Sequence, residues 1–310
     1  RHPRSRGAER AREAVRMPWL NRATSPLTPL AILISFMAMN ISSLDVIPVD
    51  GGTVAYEIAG AGPLVVCVPG MGDLRSTWRH LAPSLVAAGY RVALTDLRGH
   101  GDSSTDFAEY DDEATARDII ALVEHLGEPA VIIGNSMGAG SAVIAAAARP
   151  ELVRGLVLVG PFVRNPPSVG VAMRLAFRVL MARPWAAAVW KGYLPSLYKG
   201  RAPEDQAEYL ATVAAALKRP GYGAAFSRTT RTTHAPAEAA LPAVSAPALV
   251  IMGELDPDFP APTAEAAWIG EQLSATVVMV AEAGHYPQSQ RPDVVVPAVE
   301  SFLAGLGTNA

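Results

Sequence analysis

The sequence predicts an α/β protein with a mostly parallel central sheet, helices on both faces and one helical insertion. Three observations carry that prediction. Short unbroken apolar runs, Leu64 to Val68, Val131 to Ile133, Leu152 to Val159 and Ala248 to Met252, read as strands covered on both sides. Helical stretches alternate with these runs, which implies parallel strands joined by right-handed crossovers. Between the third and fourth runs the rhythm lapses over residues 166–241, where prolines, alanines and aromatics gather without an apolar strand.

The chain has 310 residues, 50% hydrophobic and 18% charged, enough to bury one large core. A net charge of -3 gives no basis for a nucleic-acid partner. The one cysteine, Cys67, lies inside an apolar run and reads as a small buried hydrophobe, and no disulfide can form within the chain. Six histidines and one cysteine without metal-ligand spacing predict no metal, and the activity expected below needs no cofactor.

Residues 1–43 differ in kind. The first 22 carry seven arginines against Glu9 and Glu13, a net of +5 that leaves -8 for the remainder. Residues 23–44 are uncharged, and Leu30 to Met39 is apolar apart from Ser35. This stretch reads either as an export signal or anchor, or as an upstream extension with Met39 or an earlier methionine as the start. A cytoplasmic protein is the expectation. Export, or membrane association through residues 1–43, is the alternative.

The folded pattern begins near Leu44. Leu44 to Val49 and Thr53 to Ala59, split by Asp50-Gly51-Gly52, predict an antiparallel edge hairpin. Leu64 to Val68 opens the parallel core, ends at Pro69-Gly70-Met71-Gly72-Asp73 and leads to a helix over Ser76 to Ala88. Tyr90 to Thr95 is the next strand, closed by the loop Asp96 to Ser103, in which Asp96 and Arg98 are expected to pair. Asp112 to Leu126 places Ala116, Ile119, Ile120 and Val123 on one helical face and stops at Gly127. After the insertion come a strand at Ala248, a helix over Thr263 to Leu273, a strand over Ala275 to Val280 and a helix over Pro292 to Leu306. The organisation is therefore a core of residues 44–165 and 242–310 around a helical segment of residues 166–241.

One stretch organises the chain. Val131 to Ile133 stops at Gly134-Asn135-Ser136-Met137-Gly138, after which the sequence turns small and alanine-rich through Ala148, so strand, sharp turn and helix follow one another. Gly-x-Ser-x-Gly is the nucleophile-elbow pattern, with glycines that let a strained corner pack closely while the Ser136 hydroxyl stands clear. The helix start behind it favours negative charge beside that serine, as an oxyanion requires.

With this motif in place the chain resembles the α/β-hydrolase superfamily over about residues 44–306. The resemblance implies the α/β-hydrolase fold with a helical cap over the active site, and a nucleophile, acid and base in that chain order. Ser136 matches the nucleophile. Asp256, in Gly253-Glu254-Leu255-Asp256-Pro257, matches the acid, with Asp258 as a near rival, and His285 after Gly284 matches the base. Backbone N–H groups of Met71 and Met137 match the oxyanion-hole donors, although Pro69 stands where the family usually has histidine. The Asp96 to Ser103 loop resembles a structural family loop, so His100 and His80 are not read as bases. His234 is expected at the surface, with a place lining the pocket as the alternative.

The chemistry requires these types. A serine hydroxyl is a weak nucleophile at neutral pH, so a histidine must accept its proton and return one to the leaving group, and a carboxylate must hold that imidazole. By resemblance, Trp185, Trp190, Tyr193, Tyr198 and Tyr209 pack the cap on the core or line an apolar cleft, and no basic cluster there points to a phosphate handle. The expected activity is serine hydrolysis of a small hydrophobic ester, thioester or lactone through an acyl-enzyme. Carbon–carbon cleavage of β-diketone-like substrates, suggested by Gly-Asn-Ser-Met-Gly, and a non-catalytic ligand-binding role are the alternatives, with perhydrolase activity a side possibility. Aspartate-dependent dehalogenase and epoxide-hydrolase chemistry is disfavoured by serine at the elbow.

Overall fold

The computed structural model describes residues 44–165 and 171–307. The expectations for residues 1–43 lie outside the described residues. Eight strands, β1 (Asp45–Val49), β2 (Gly52–Ala59), β3 (Leu64–Val68), β4 (Arg91–Thr95), β5 (Ala130–Asn135), β6 (Val153–Val159), β7 (Ala248–Gly253) and β8 (Thr276–Val280), form one sheet in the order β1-β2-β4-β3-β5-β6-β7-β8. The β1–β2 hairpin and the β2–β4 pair are antiparallel, and every other pair is parallel.

Period-2 alternation explains why the central strands are apolar throughout. Val65, Cys67, Val131, Ile133, Val157 and Val159 share one face with Trp78, Leu85, Val295 and Val299. Val66, Val68, Ile132, Leu156, Leu158 and Val250 share the other with Ile119, Val123, Ala139, Val143 and Ile269. These partners lie on or beside the helices α1 (Ala82–Ala87), α2 (Asp112–Leu126), α3 (Met137–Ala148), α9 (Pro262–Leu273) and, after the short helix α10 (Pro287–Gln290), α11 (Pro292–Gly305). Burial removes the Cys67 thiol from reactive chemistry by pushing its pKa far up. In α2, Asp111 accepts from the N–H of Ala114 at 2.9 Å, and Gly127 ends the helix at φ 81°, as its sequence predicts.

Two expectations about local structure are corrected. Residues 76–88 are not one helix: a 3-10 turn over Arg75–Trp78 precedes α1, because Pro83 lacks an N–H and is accommodated in the first turn of a new helix. Asp96 and Arg98 do not pair. Asp96 accepts from the backbone and guanidinium of Arg75 at 2.8 and 2.5 Å, while Arg98 makes a two-pronged bond to Asp118 at 2.8 and 2.7 Å. Sequence neighbours on a tight loop point apart, so each finds its partner on another element.

Between β6 and β7 the described residues contain the helices α4 (Val171–Leu180), α5 (Ala186–Tyr193), α6 (Gln206–Ala216), α7 (Tyr222–Thr229) and α8 (Ala235–Ala240) and no strand. Trp190, Leu197, Tyr209, Val213, Tyr222 and Phe226 join Leu74 and Tyr286 of the sheet-bearing part in one buried cluster. Beside it, the Arg79 guanidinium binds both oxygens of Asp205 at 2.6 and 2.8 Å and lies 3.9 Å over the Tyr209 ring. Burial alone would raise the pKa of Asp205, but Arg79 and His80 hold its carboxyl well below the usual range. Among the described residues no helix is long and apolar enough to cross a membrane.

Replacing Asp205 by alanine leaves the Arg79 cation buried without its partner, so the folding free energy is expected to fall by about 3 kcal/mol in urea denaturation. Because the folded pKa of Asp205 is depressed, its stabilisation is present above the carboxylate's unfolded value and fades as pH falls through the acid range. The difference between wild type and Asp205→Ala should therefore shrink on acidification.

Candidate active site

Ser136 sits between β5 and α3 with φ 56° and ψ -121°, a conformation that an L-residue adopts only when its surroundings impose it. The surroundings are glycines. A Cβ on Gly134 would lie 2.5 Å from the carbonyl oxygen of Gly138, and one on Gly138 would lie 2.5 Å from that of Pro69. The Ser136 N–H donates to Val159 at 3.0 Å, and its carbonyl accepts from Phe162 at 3.3 Å. The turn is thus fixed from both sides.

His285 lies on the loop after β8. Its Nδ1 is 2.7 Å from Asp256 Oδ2 and 3.8 Å from Asp258 Oδ2, and both Asp256 and His285 are about 2% exposed. Asp256 follows β7, and its second oxygen accepts the Asp258 N–H at 3.0 Å. The two expected acids are therefore separated by geometry: Asp256 holds the ring, and Asp258 adds charge beside it. Burial disfavours the His285 cation, yet the Asp256 carboxylate, its hydrogen bond, Asp258 and Asp73 together raise the pKa to about 9. Burial raises the Asp258 carboxyl against the opposing effect of His285.

Ser136 and His285 share their supports. Asn135, the residue before the serine, donates from Nδ2 to the carbonyls of Val159 at 3.0 Å and His285 at 3.3 Å. Phe162, bonded to the Ser136 carbonyl, sets its ring edge-on to His285 at 5.8 Å between centroids. Behind His285, Gly284 donates to Gln290 Oε1 at 2.8 Å, and the same amide donates to the carbonyls of Lys199 and Arg201. Asn135 and Gln290 carry no signal of this role in the sequence, because each acts through contacts between distant segments.

The loop after β3 carries the Met71 N–H. Among the described residues neither the Met71 nor the Met137 N–H is engaged by a backbone or side-chain acceptor. The neighbouring Gly72 peptide is held at both ends, its N–H donating to His100 Nε2 at 2.9 Å and its carbonyl accepting from Trp190 Nε1 at 2.8 Å. His100 is fully buried, which lowers its pKa, so the neutral ring donates from Nδ1 to Arg98 and accepts at Nε2. The next residue, Asp73, accepts from the Tyr209 hydroxyl and from the Leu74 N–H at 2.9 Å. Trp190 and Tyr209 thus act on the Met71 loop from the insertion, and Tyr193 likewise donates to Asp258 at 2.5 Å. Pro69 leaves this loop intact, since a carbonyl, which proline keeps, is what meets Gly138.

His234 is half-buried rather than freely exposed. Its Nδ1 is 2.7 Å from Asp112 Oδ2, and its ring lies 5.2 Å from that of Phe162. His80 binds Asp205 and not a candidate catalytic group. Asp256, Asp258 and His285 are also the described residues whose ligating atoms all fall within 4.8 Å of one another. Two of those atoms already bond to each other.

Residues 65–298 match the family described as "Alpha/beta hydrolase family". The chain belongs to the alpha/beta hydrolase family. It is 27% identical over 258 residues to a probable esterase of Oryza sativa subsp. japonica, covering 78% of this chain and 93% of that protein. An epoxide hydrolase of Caballeronia sordidicola is 36% identical over 142 residues, 41% of this chain and 43% of the relative. The chain spans less than half the length of several curated relatives it matches, 33% for some and 43% for that epoxide hydrolase. Among solved structures, a thermophilic esterase from Thermogutta terrifontis superposes with a TM-score of 0.73 at 24% identity, covering 86% of this chain and 99% of that one, which is a likeness of fold.

The His285 pKa gives a direct check. Its ring resonances in NMR are expected to titrate well above the ordinary imidazole value of about 6.5, with the cation favoured below the folded value. Asp256→Asn removes the bonded charge and should bring the midpoint down; an unchanged midpoint would show that Asp256 does not set it.

Proposed function

We infer that the chain is a serine hydrolase acting through an acyl-enzyme on a hydrophobic carboxylic ester, thioester or lactone, with Ser136, His285 and Asp256 as nucleophile, base and orienting acid. The observation that carries this reading is the buried 2.7 Å bond between Asp256 and His285, joined through Asn135 and Phe162 to a serine held at positive φ. In the neutral form of the ring, favoured above its raised pKa of about 9, Asp256 fixes the tautomer with a proton on Nδ1, which leaves Nε2 to take the Ser136 proton as Oγ attacks the carbonyl carbon. The developing oxyanion is received by the Met71 and Met137 N–H groups, and the clamped Gly72 peptide keeps the first of them aimed. His285 then gives its proton to the leaving alkoxide or thiolate, and the carbonyl re-forms as an ester on Ser136. Water, losing a proton to the same nitrogen, attacks that ester, and as the acyl–Oγ bond breaks the proton passes to Ser136 Oγ and the acid is released. Phe162 and Phe259, 4.7 Å apart between centroids, provide apolar surface beside the histidine for the acyl group.

The relatives' names point to both esters and epoxides, and position 136 favours the former. Epoxide opening in the aspartate-dependent branch needs a carboxylate nucleophile, whereas serine forms an acyl-enzyme from a carbonyl substrate. Under this reading the insertion is a cap and the Met71 loop is completed by it.

A fluorophosphonate probe tests the reading: the wild type is expected to gain one label by intact mass and Ser136→Ala none, and a folded wild type that stays unlabelled overturns it. Trp190→Phe keeps the aromatic packing but removes the donor to Gly72, so kcat on p-nitrophenyl esters should fall about ten-fold with little change in KM. A drop confined to KM would show that Trp190 serves binding instead.

A further inference from the structure

The outermost helix of the insertion presents an unusual surface. In α4, Leu175 is 61%, Phe177 42%, Val179 56% and Leu180 50% exposed, and Trp185, just beyond the helix, is 47% exposed. These are the greater part of the large exposed hydrophobics among the described residues. The helix end is nevertheless anchored: Met181 is buried and its carbonyl accepts from Ser227 at 2.7 Å, while the Trp185 indole donates to the Val179 carbonyl at 2.8 Å. An anchored helix with several bare apolar side chains is a surface awaiting a partner.

Charge selects the partner. From Arg174 to Arg201 the sequence holds six cations and no carboxylate, in a chain whose net charge is -3. The aromatics of this stretch are conspicuous in the sequence, and its cations, spread over 28 positions, are not. Arg178 and Arg183 are exposed and form no ion pair among the described residues. Arginines interleaved with exposed leucine, valine, phenylalanine and tryptophan are the composition of a helix that lies in a lipid interface, with apolar side chains entering the acyl region and guanidinium groups meeting phosphates. Residues 1–22, with a net of +5, share the sign of Arg178 and Arg183, and residues 23–43 carry no charge, so charge draws neither segment to this face. A second copy of the chain would bring the same positive charge.

We propose that α4 and Trp185 form a docking surface for an anionic lipid bilayer, distinct from the catalytic groups and independent of residues 1–43. The occupant is a membrane surface with negatively charged headgroups. Trp185 enters it, and Arg178 and Arg183 set the preference for charge.

The test uses the full chain with phosphatidylglycerol and phosphatidylcholine vesicles, some bearing brominated acyl chains. The wild type is expected to co-sediment with phosphatidylglycerol vesicles about ten-fold more tightly than with phosphatidylcholine ones, and to be released as salt rises. Bromines should quench its tryptophan emission, and Trp185→Phe should abolish most of that quenching. Leu175→Glu/Val179→Glu, which changes only exposed positions, should lose binding about ten-fold while its circular dichroism and melting stay unchanged. Arg178→Glu/Arg183→Glu should remove the lipid preference. Binding that survives in Leu175→Glu/Val179→Glu would assign it to residues 1–43 and overturn the proposal. So would equal binding to both lipids, or a wild-type dimer that this variant turns into a monomer.

Discussion

The contact on which the rest of the site depends is the approach of the first turn of α3 to the ends of β3 and β5. Side chains at 134 and 138 would collide with backbone carbonyls at 2.5 Å, and one at Gly70 would meet the Ser136 Cβ at 2.8 Å. Three chain segments therefore share a volume already filled by the backbone and by the side chains of Ser136, Asn135 and Val68, which leaves no room for one at 70, 134 or 138. The left-handed serine is the result: a strain of about 1–3 kcal/mol is tolerated because the sheet on either side is fully buried and leaves the turn no other path. It also joins the Met71 loop and the serine turn closely, so that the candidate nucleophile and the proposed oxyanion donors keep a common frame.

Electrostatics around His285 follow from the same packing. Three carboxylates, Asp256, Asp258 and Asp73, bear on one buried imidazole, and their sum outweighs the cost of burying its cation. They are not equivalent. Asp256 spends one oxygen on the ring and the other on the Asp258 N–H, so it is fixed at both ends, whereas Asp258 divides its role between His285 and the Tyr193 hydroxyl. Asp73 is buried with its pKa raised by desolvation and faces Tyr209. A fixed acid orients the ring; the other two tune its charge.

Much of this was legible in the sequence, for reasons that differ by element. The strands from Leu64 to Val280 and the helix from Asp112 to Leu126 are local in origin, written in apolar runs and in an Asp cap and Gly stop. The Gly-x-Ser-x-Gly turn is local too, and the resemblance to the family's order of nucleophile, acid and base pointed from it to Asp256 and His285 as candidates. What stayed hidden is whatever depends on side chains meeting across the fold. Arg75 with Asp96, Arg98 with Asp118, and His234 with Asp112 are separated by 21, 20 and 122 positions, and no spacing rule connects them. The same holds for Trp190: its place in a cluster of aromatics was visible, but its bond to the Gly72 carbonyl was not.

The insertion is tied to the sheet-bearing part most firmly where the chemistry would occur. Trp190 holds Gly72, Tyr209 holds Asp73, Tyr193 holds Asp258 and Asp205 holds Arg79, all from α5, α6 or the residue before α6. Lifting those helices would expose the cation of Arg79 to loss of its partner and release the peptide that aims the Met71 N–H. An opening of that kind would dismantle the site it admits substrate to. A displacement of α4 breaks none of the four bonds, because its exposed side chains from Leu175 to Leu180 make none of them. The division between a fixed inner pair of helices and a bare outer one is thus a mechanical consequence of where the hydrogen bonds fall, and it leaves the outer helix free to meet another surface without disturbing Ser136 or His285.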